Sequence, residues 1–345
     1  MVKRICGVLL VFVVLECASA LNVHAQSNPA CFGVVFCGWT SLWGDNNCGL
    51  PPGAYNCQGV PWEFEQECQV QSNACPPFAG PIENNCPKCN TAGSPISLAT
   101  GNTYIEQADI RVPGLSNGLT LLRTWISQWP STQTASQVGL FGPHWRSTYE
   151  ERVFIGDDHY IKYARSDGSF WSFGMSGTGI WGVAAPANVA VTLVTNGTQN
   201  WTMTFQNGER RIFDQTSGSL IAIIDRNGNT TQLSYDALNR LITVTDPASR
   251  HLSFTYPSDT SRLVTSVTSD VGLSLSYGYD NQGRLATVTK SDQTTISFQY
   301  DSNSMITAVK DSNGKILESH TYDSSGRGLT SSRANGVDAV TVSYQ

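Results

Sequence analysis

Charge is scarce in this 345-residue chain: Asp, Glu, Lys and Arg make up 14% of it, where a soluble domain usually carries about 25%. No window is dominated by Ala, Leu, Glu and Lys, so long helices are excluded as the main element. The formal net charge is −6 and there is no basic run, which leaves no electrostatic footprint for nucleic acid. Histidines are few, and none sits in a His-x-Glu-x-x-His or related zinc spacing. A Gly-rich phosphate loop and a Gly-x-Ser-x-Gly nucleophile elbow are both missing. Past residue 15 no apolar stretch approaches the roughly 20 residues that span a bilayer. These absences point away from an enzyme, a cofactor and a transmembrane segment. Disorder is excluded as well, because apolar residues reach 40% and can build a core.

The first residues read as an export signal. Lys3 and Arg4 precede the apolar run Ile5 to Leu15, and small residues follow at Ala18-Ser19-Ala20 and Val23-His24-Ala25. Residues 1–25 are therefore expected to be a signal peptide cleaved near Ala25. That places the mature chain outside the cytoplasm, as a secreted or cell-surface protein in the periplasm or on the outer surface of a bacterium. Residues 26–92 form a Cys-rich region holding Cys31, Cys37, Cys48, Cys57, Cys68, Cys75, Cys86 and Cys89. It has too few apolar residues to offset the entropy of ordering it, about 1–2 kcal/mol per residue. Four disulfides at about 2–4 kcal/mol each would supply the difference. Sequence does not choose among the roughly one hundred pairings. Zinc held by Cys86-Pro-Lys-Cys89 is the weaker alternative, since it is a lone C-x-x-C pair with no His nearby.

Residues 93–212 have the texture of an antiparallel β domain. Alternating stretches at Ile105 to Val112, Leu119 to Ile126, Val189 to Thr195 and Trp201 to Phe205 are punctuated by Asn117-Gly118, Asp167-Gly168, Asn196-Gly197 and Asn207-Gly208. Such dipeptides adopt the positive φ angles of tight hairpins.

Residues 213–345 repeat themselves. The pair Tyr-Asp recurs at Tyr235-Asp236, Tyr279-Asp280, Tyr300-Asp301 and Tyr322-Asp323; Phe213-Asp214 is a variant, and Tyr256 and Tyr344 keep the phase without the Asp. Spacings from Phe213 are 22, 21, 23, 21, 22 and 22, a period that signals a repeat array of about six units. Each aromatic is followed by an aliphatic at Leu220, Leu241, Leu263, Leu285, Ile306 or Leu329, preceded in three units by Arg240, Arg262 or Arg284. A short strand, a turn and a second alternating strand then lead to the next aromatic, so each unit is a β-hairpin that needs its neighbours. The expected architecture is all-β, with stacked hairpins forming a twisted open strip that the upstream β domain caps at one end. The recurring tyrosines read as ladder packing with the hydroxyl reaching water or a turn. The aspartates read as turn caps, since the calcium-loop pattern lacks its twelfth-position acid after Asp225 and Asp311.

Other polar groups have bland readings. His144, His159, His251 and His320 are scattered, with solvent-facing or turn-bonding roles expected. Glu150-Glu151 and Asp157-Asp158 contain acids enough for a glycosidase pair, but read more simply as a charged turn. Wide polar faces of Ser, Thr, Asn and Gln leave a glycan or cell-surface partner as an alternative.

The period, the Tyr-Asp pair and the Arg-Leu element resemble the RHS family, whose units are called YD repeats. Gly93 to Thr103, Ile110 to Trp125 and Phe141-Gly-Pro-His-Trp145 resemble the β domain that commonly precedes such repeats, with His144 where a second Gly is usual. The resemblance implies a spirally winding strip. In long members it closes into a shell around a C-terminal toxin; in others, teneurins included, it belongs to a cell-surface adhesion module. Six units are far fewer than a closed shell uses, so the expectation is a short member or a piece of a longer one. An encapsulated toxin used in bacterial competition would belong to the longer version.

Overall fold

The computed structural model describes residues 91–128, 139–156, 160–177, 179–185, 190–195 and 199–344. The signal peptide, the eight cysteines, Asn196-Gly197, Asp157-Asp158 and His159 lie outside them. The described chain is nearly all β. A hairpin of β1 (Thr91–Ala92) and β2 (Ile96–Ser97) precedes a three-stranded sheet of β3 (Tyr104–Val112), β4 (Leu119–Ile126) and β5 (Trp145–Ser147). Nineteen further strands, from β6 (Arg152–Ile155) to β24 (Val340–Thr341), form one sheet in which each strand pairs antiparallel with the next in sequence. No ladder joins β24 to β6, so the sheet as a whole is an open strip.

Alternation decides which face is inward. In β14 (Thr230–Tyr235), Thr231 and Leu233 are buried while Gln232 and Ser234 are exposed; β16 (His251–Thr255) buries Leu252 and Phe254 in the same way. A one-residue slip would send every aliphatic into water, so the hydrophobic pattern sets the register.

The turns follow one design. The carboxylate of Asp236 accepts from the amides of Leu238 and Arg240, both at 2.9 Å. Asp225, Asp246, Asp280, Asp301, Asp311 and Asp323 accept from the amides two and four residues on in the same way. Their fourth residue is left-handed: φ is +71° at Gly283, but also +57° at Asn239 and +66° at Ser304, where a side chain costs about 1–2 kcal/mol. The carboxylate cap offsets that strain.

The strip begins tightly curled. Arg152 in β6 makes an isolated bridge to Ser219, next to β13 (Leu220–Ile224). The Val153 amide donates to the Gly218 carbonyl at 2.9 Å. Eight strands thus close one turn. An eight-stranded turn has an interior just wide enough for side chains, and here Tyr163, Trp171, Met203 and Phe213 fill it. The Tyr163 and Phe213 rings meet at 5.8 Å although their strands are five apart along the sheet. At the seam only glycine fits at position 218: φ is +72° and a Cβ would lie 1.9 Å from the Val153 carbonyl oxygen.

Beyond β13 the strip opens out, and β3–β5 cover its apolar face. Phe141 meets Tyr277 at 4.7 Å, Trp145 meets Phe298 at 5.1 Å and Trp125 meets Tyr322 at 6.2 Å. The first hairpin reaches the far units: Ser94 exchanges hydrogen bonds with Ser331. The segment resembling the upstream domain therefore splits between two tasks. Residues up to 147 lie across the face of the repeats rather than capping one end, while residues 152–212 extend the repeat sheet itself. The reason is area: a one-sided apolar sheet too open to be filled by its own side chains needs a second layer.

Candidate functional site

The repeat tyrosines are the joints between units. Each hydroxyl donates to a main-chain carbonyl of the unit before it: Tyr235 to Leu220, Tyr256 to Leu241, Tyr279 to Val264, Tyr300 to Leu285, Tyr322 to Ile306 and Tyr344 to Gly328, all at 2.6–2.8 Å. Water or a turn, the partners expected from sequence, are replaced by a strand-start carbonyl. A β-bulge at most of these tyrosines locally interrupts the ladder beside the strand starts. Two of the aliphatics read from sequence are displaced by one residue. Val264 and Gly328, not Leu263 and Leu329, occupy the joint. The loop after Tyr256 is longer than the other turns, and at residue 328 a side chain would strike Thr103 and Ile96 of the covering layer.

Arginine completes the joint. Arg240 Nε pairs with Asp236 at 2.6 Å, and its guanidinium lies 4.5 Å from the centre of the Tyr256 ring in the next unit. Arg284 repeats this with Asp280 and Tyr300, and Arg327 with Asp323 and Tyr344. Burial opposes the charge of Asp236, but the Arg240 amide and guanidinium outweigh it and hold the carboxyl below its ordinary value; Asp280 and Asp323 behave alike. Burial pushes the Tyr300 hydroxyl up to about 12, so it stays a donor. Phe213, at the front of the series, has no hydroxyl and is fully buried in the closed turn, while Asp214 caps its own turn through Ser217. Asp301 caps its turn and is followed by Met305 instead of Arg. Arg262 precedes Leu263 but makes no such pair.

A buried ion pair pins the covering layer. Asp109 is the extra residue of a bulge in β3. It binds Arg123 Nε at 2.5 Å and Nη2 at 2.8 Å, and accepts from the Tyr277 hydroxyl at 2.7 Å. Burial opposes the Arg123 charge, and Asp109 more than restores it. The guanidinium lies 4.7 Å from the Trp145 ring. His144 holds the turn that precedes β5: its φ is +65°, a glycine-like value, and its ring Nδ1 meets the Ile126 carbonyl at 2.8 Å. His251 faces Asp270 at 3.1 Å, and His320 is wholly buried near Glu318 at 3.6 Å, unlike the solvent-facing role expected of it.

Beside the seam is a cavity of about 570 Å³, lined by residues 140, 146, 149–152, 219, 235, 239–241 and 262. Glu150 and Glu151 both line it. Glu151 is buried and Glu150 half-buried, and neither belongs to a solvated turn, because the link from β5 to β6 passes under the repeats. Glu151 pairs with Arg211 at 3.0 Å. Burial raises Glu150 above the ordinary carboxyl value, opposed by Arg146. Among the described residues no group of three or more His, Cys, Asp and Glu could hold a metal, and no helix is long and apolar enough to cross a membrane.

Two family models match. A domain of unknown function (DUF6531) covers residues 93–173 and the Teneurin YD-shell model covers 183–335. No curated protein matches. Solved structures with similar stretches include the TcdB2-TccC3-Cdc42 complex, at 15% identity over 67% of this chain and 12% of that one, TM-score 0.27. The Photorhabdus luminescens Tc holotoxin pore is similar at 13% identity over 70% and 14%, TM-score 0.25. A porin-like protein from Bacteroides uniformis has 12% identity over 61% and 93%, TM-score 0.25. The chain thus spans about an eighth of the length of the first of these. On the two matched models, and on the Tyr-Asp-Arg joint that recurs through the second, the chain belongs to the RHS family of YD-repeat proteins.

Proposed function

We propose that the chain is an exported, non-enzymatic scaffold: a stretch of RHS wall with its own inner lining. The observation that carries this reading is the row of six tyrosine joints, which commits every repeat to its neighbours. Residues spent on cohesion in each unit are those of a structural array. Enclosure of a C-terminal toxin is what the family resemblance adds; adhesion to a glycan or a neighbouring cell is the alternative. The repeat tyrosines give that alternative little support, because their hydroxyls are committed and their rings half-buried.

Expression of the full gene in a bacterial host tests the reading. The expected result is a mature N-terminus at Gln26 outside the cytoplasm, and a protease-resistant core running from the covering layer through the repeats. A cytoplasmic product retaining Met1, or rapid cleavage at the repeat turns, would refute it.

A further inference from the structure

The closed turn has two ends, and the chain covers one of them. A Cβ on Gly168, in the turn between β7 (Ile161–Ala164) and β8 (Phe170–Gly177), would lie 2.9 Å from Ile126 of the covering layer. The opposite end lies where β6 and β8 stop and where β9 (Ile180–Ala185) and β11 (Asn200–Phe205) start. Cross-strand pairing decides which side chains face into it. Trp181 stands opposite Leu193 and Trp201 opposite Phe213, and both of these partners are fully buried inside the turn. Met175 stands opposite Trp181. Ile155 stands opposite Ile161, which is 6% exposed, yet Ile155 itself is 71% exposed.

The two indoles meet edge to face at 4.8 Å, across the strand that carries Leu193. Both rings are partly exposed, and neither indole N–H has a protein acceptor. Gln199 and Gln215 each lie two residues from an inward aromatic, Trp201 and Phe213. Their main chains are joined by the Gln215 amide, which donates to the Gln199 carbonyl at 2.8 Å, and both residues are exposed. Among the described residues that face this end none is charged. Wet apolar surface is unfavourable for a wall, because water gains nothing from ring faces or an isoleucine tip. Mouths of β-barrels are a recurrent place for ligands. An indole face packs against the C–H groups of a sugar ring, while indole N–H and amide side chains match its hydroxyls. A purely aliphatic ligand would leave those polar groups unmatched, and a charged one would find no counter-charge.

We propose that this open end of the closed turn binds a neutral hexose unit of a glycan, stacked on Trp181 and Trp201 and hydrogen-bonded by Gln199 and Gln215. The site goes beyond the scaffold reading and needs only the closed turn, so its failure would leave that reading untouched.

Calorimetric titration of the full chain with cellohexaose, maltohexaose and trigalacturonate tests it. At least one of the two neutral oligosaccharides is expected to bind saturably with a Kd near or below about 1 mM. Trigalacturonate should bind at least about tenfold more weakly than that sugar. The double variant Gln199→Ala, Gln215→Ala changes two exposed side chains, so it keeps the fold and should weaken the neutral sugar by about fivefold to tenfold. Trp201→Ala should weaken it further; if that variant does not fold, the glutamine variant is read alone. No saturable heat with either neutral oligosaccharide up to about 10 mM overturns the proposal. So do trigalacturonate binding as tightly as the neutral sugar, and unchanged affinity in the folded glutamine variant.

Discussion

Replacing Tyr256 by Phe removes one oxygen and leaves the ring. The lost bond is the 2.8 Å donation to the Leu241 carbonyl. Leu241 is 2% exposed, so water does not replace the hydroxyl. A buried acceptor deprived of its donor costs about 1–3 kcal/mol. The stack with Arg240 survives, because a phenyl ring also attracts a guanidinium. The net cost should be about 1–2 kcal/mol. For a domain the size of the strip, each kcal/mol lowers Tm by about 2–4 °C, so calorimetry should record a fall of roughly 2–8 °C. Tyr256→Leu, which also loses the stack, should fall further. Thr255→Val, on the exposed face of the same strand, should stay within about 0.5 kcal/mol of the parent. Amide exchange should quicken first at residues 241–245 and 252–255, on the two strands the joint ties together. If Tyr256→Phe melts within about 1 °C of the parent while Thr255→Val behaves as stated, the hydroxyls are ornaments of the repeat and not its joints.

Arg123→Met should destabilise by about 3–5 kcal/mol, because Asp109 is left as a buried, unpaired charge, and adding Asp109→Leu should recover most of that; chemical denaturation of both variants checks it. Acid should loosen the joints in a defined window. Asp236, Asp280 and Asp323 have folded values below the ordinary 3.8, so their contribution is complete above that value and is lost as the pH falls through and below it. Urea midpoints should therefore be flat from about pH 7 to about pH 5 and drop below about pH 4, with a shallower drop in Asp280→Asn; an equal slope in both would count against the aspartate–arginine pairs.

What could be read from the sequence was whatever repeats or alternates locally. The strand Leu241–Thr245 appears with the bounds its alternation predicts, and the Asp-x-x-Gly turns follow from a cap and a left-handed residue three positions on. The identity of each hydroxyl's partner was not legible, because Tyr256 lies just past the end of its strand, where alternation no longer says what the side chain meets. Asp109 and Tyr277 are 168 residues apart, and neither belongs to a motif. Glu150 and Glu151 looked like a surface turn because charge pairs usually are; nothing local says that the link from β5 to β6 passes beneath the repeats.

The direction of the tyrosine donation has a bearing on biosynthesis. Each hydroxyl points backwards along the chain, to a unit that left the ribosome earlier. A hairpin is thus finished only when the tyrosine that follows its second strand has been made, 15 or 16 residues after the carbonyl. At usual elongation rates that is a wait of roughly one to three seconds. The closed turn at the head of the strip is locked by its own seam as well. It supplies a settled template, and maturation travels from it toward the C-terminus behind translation.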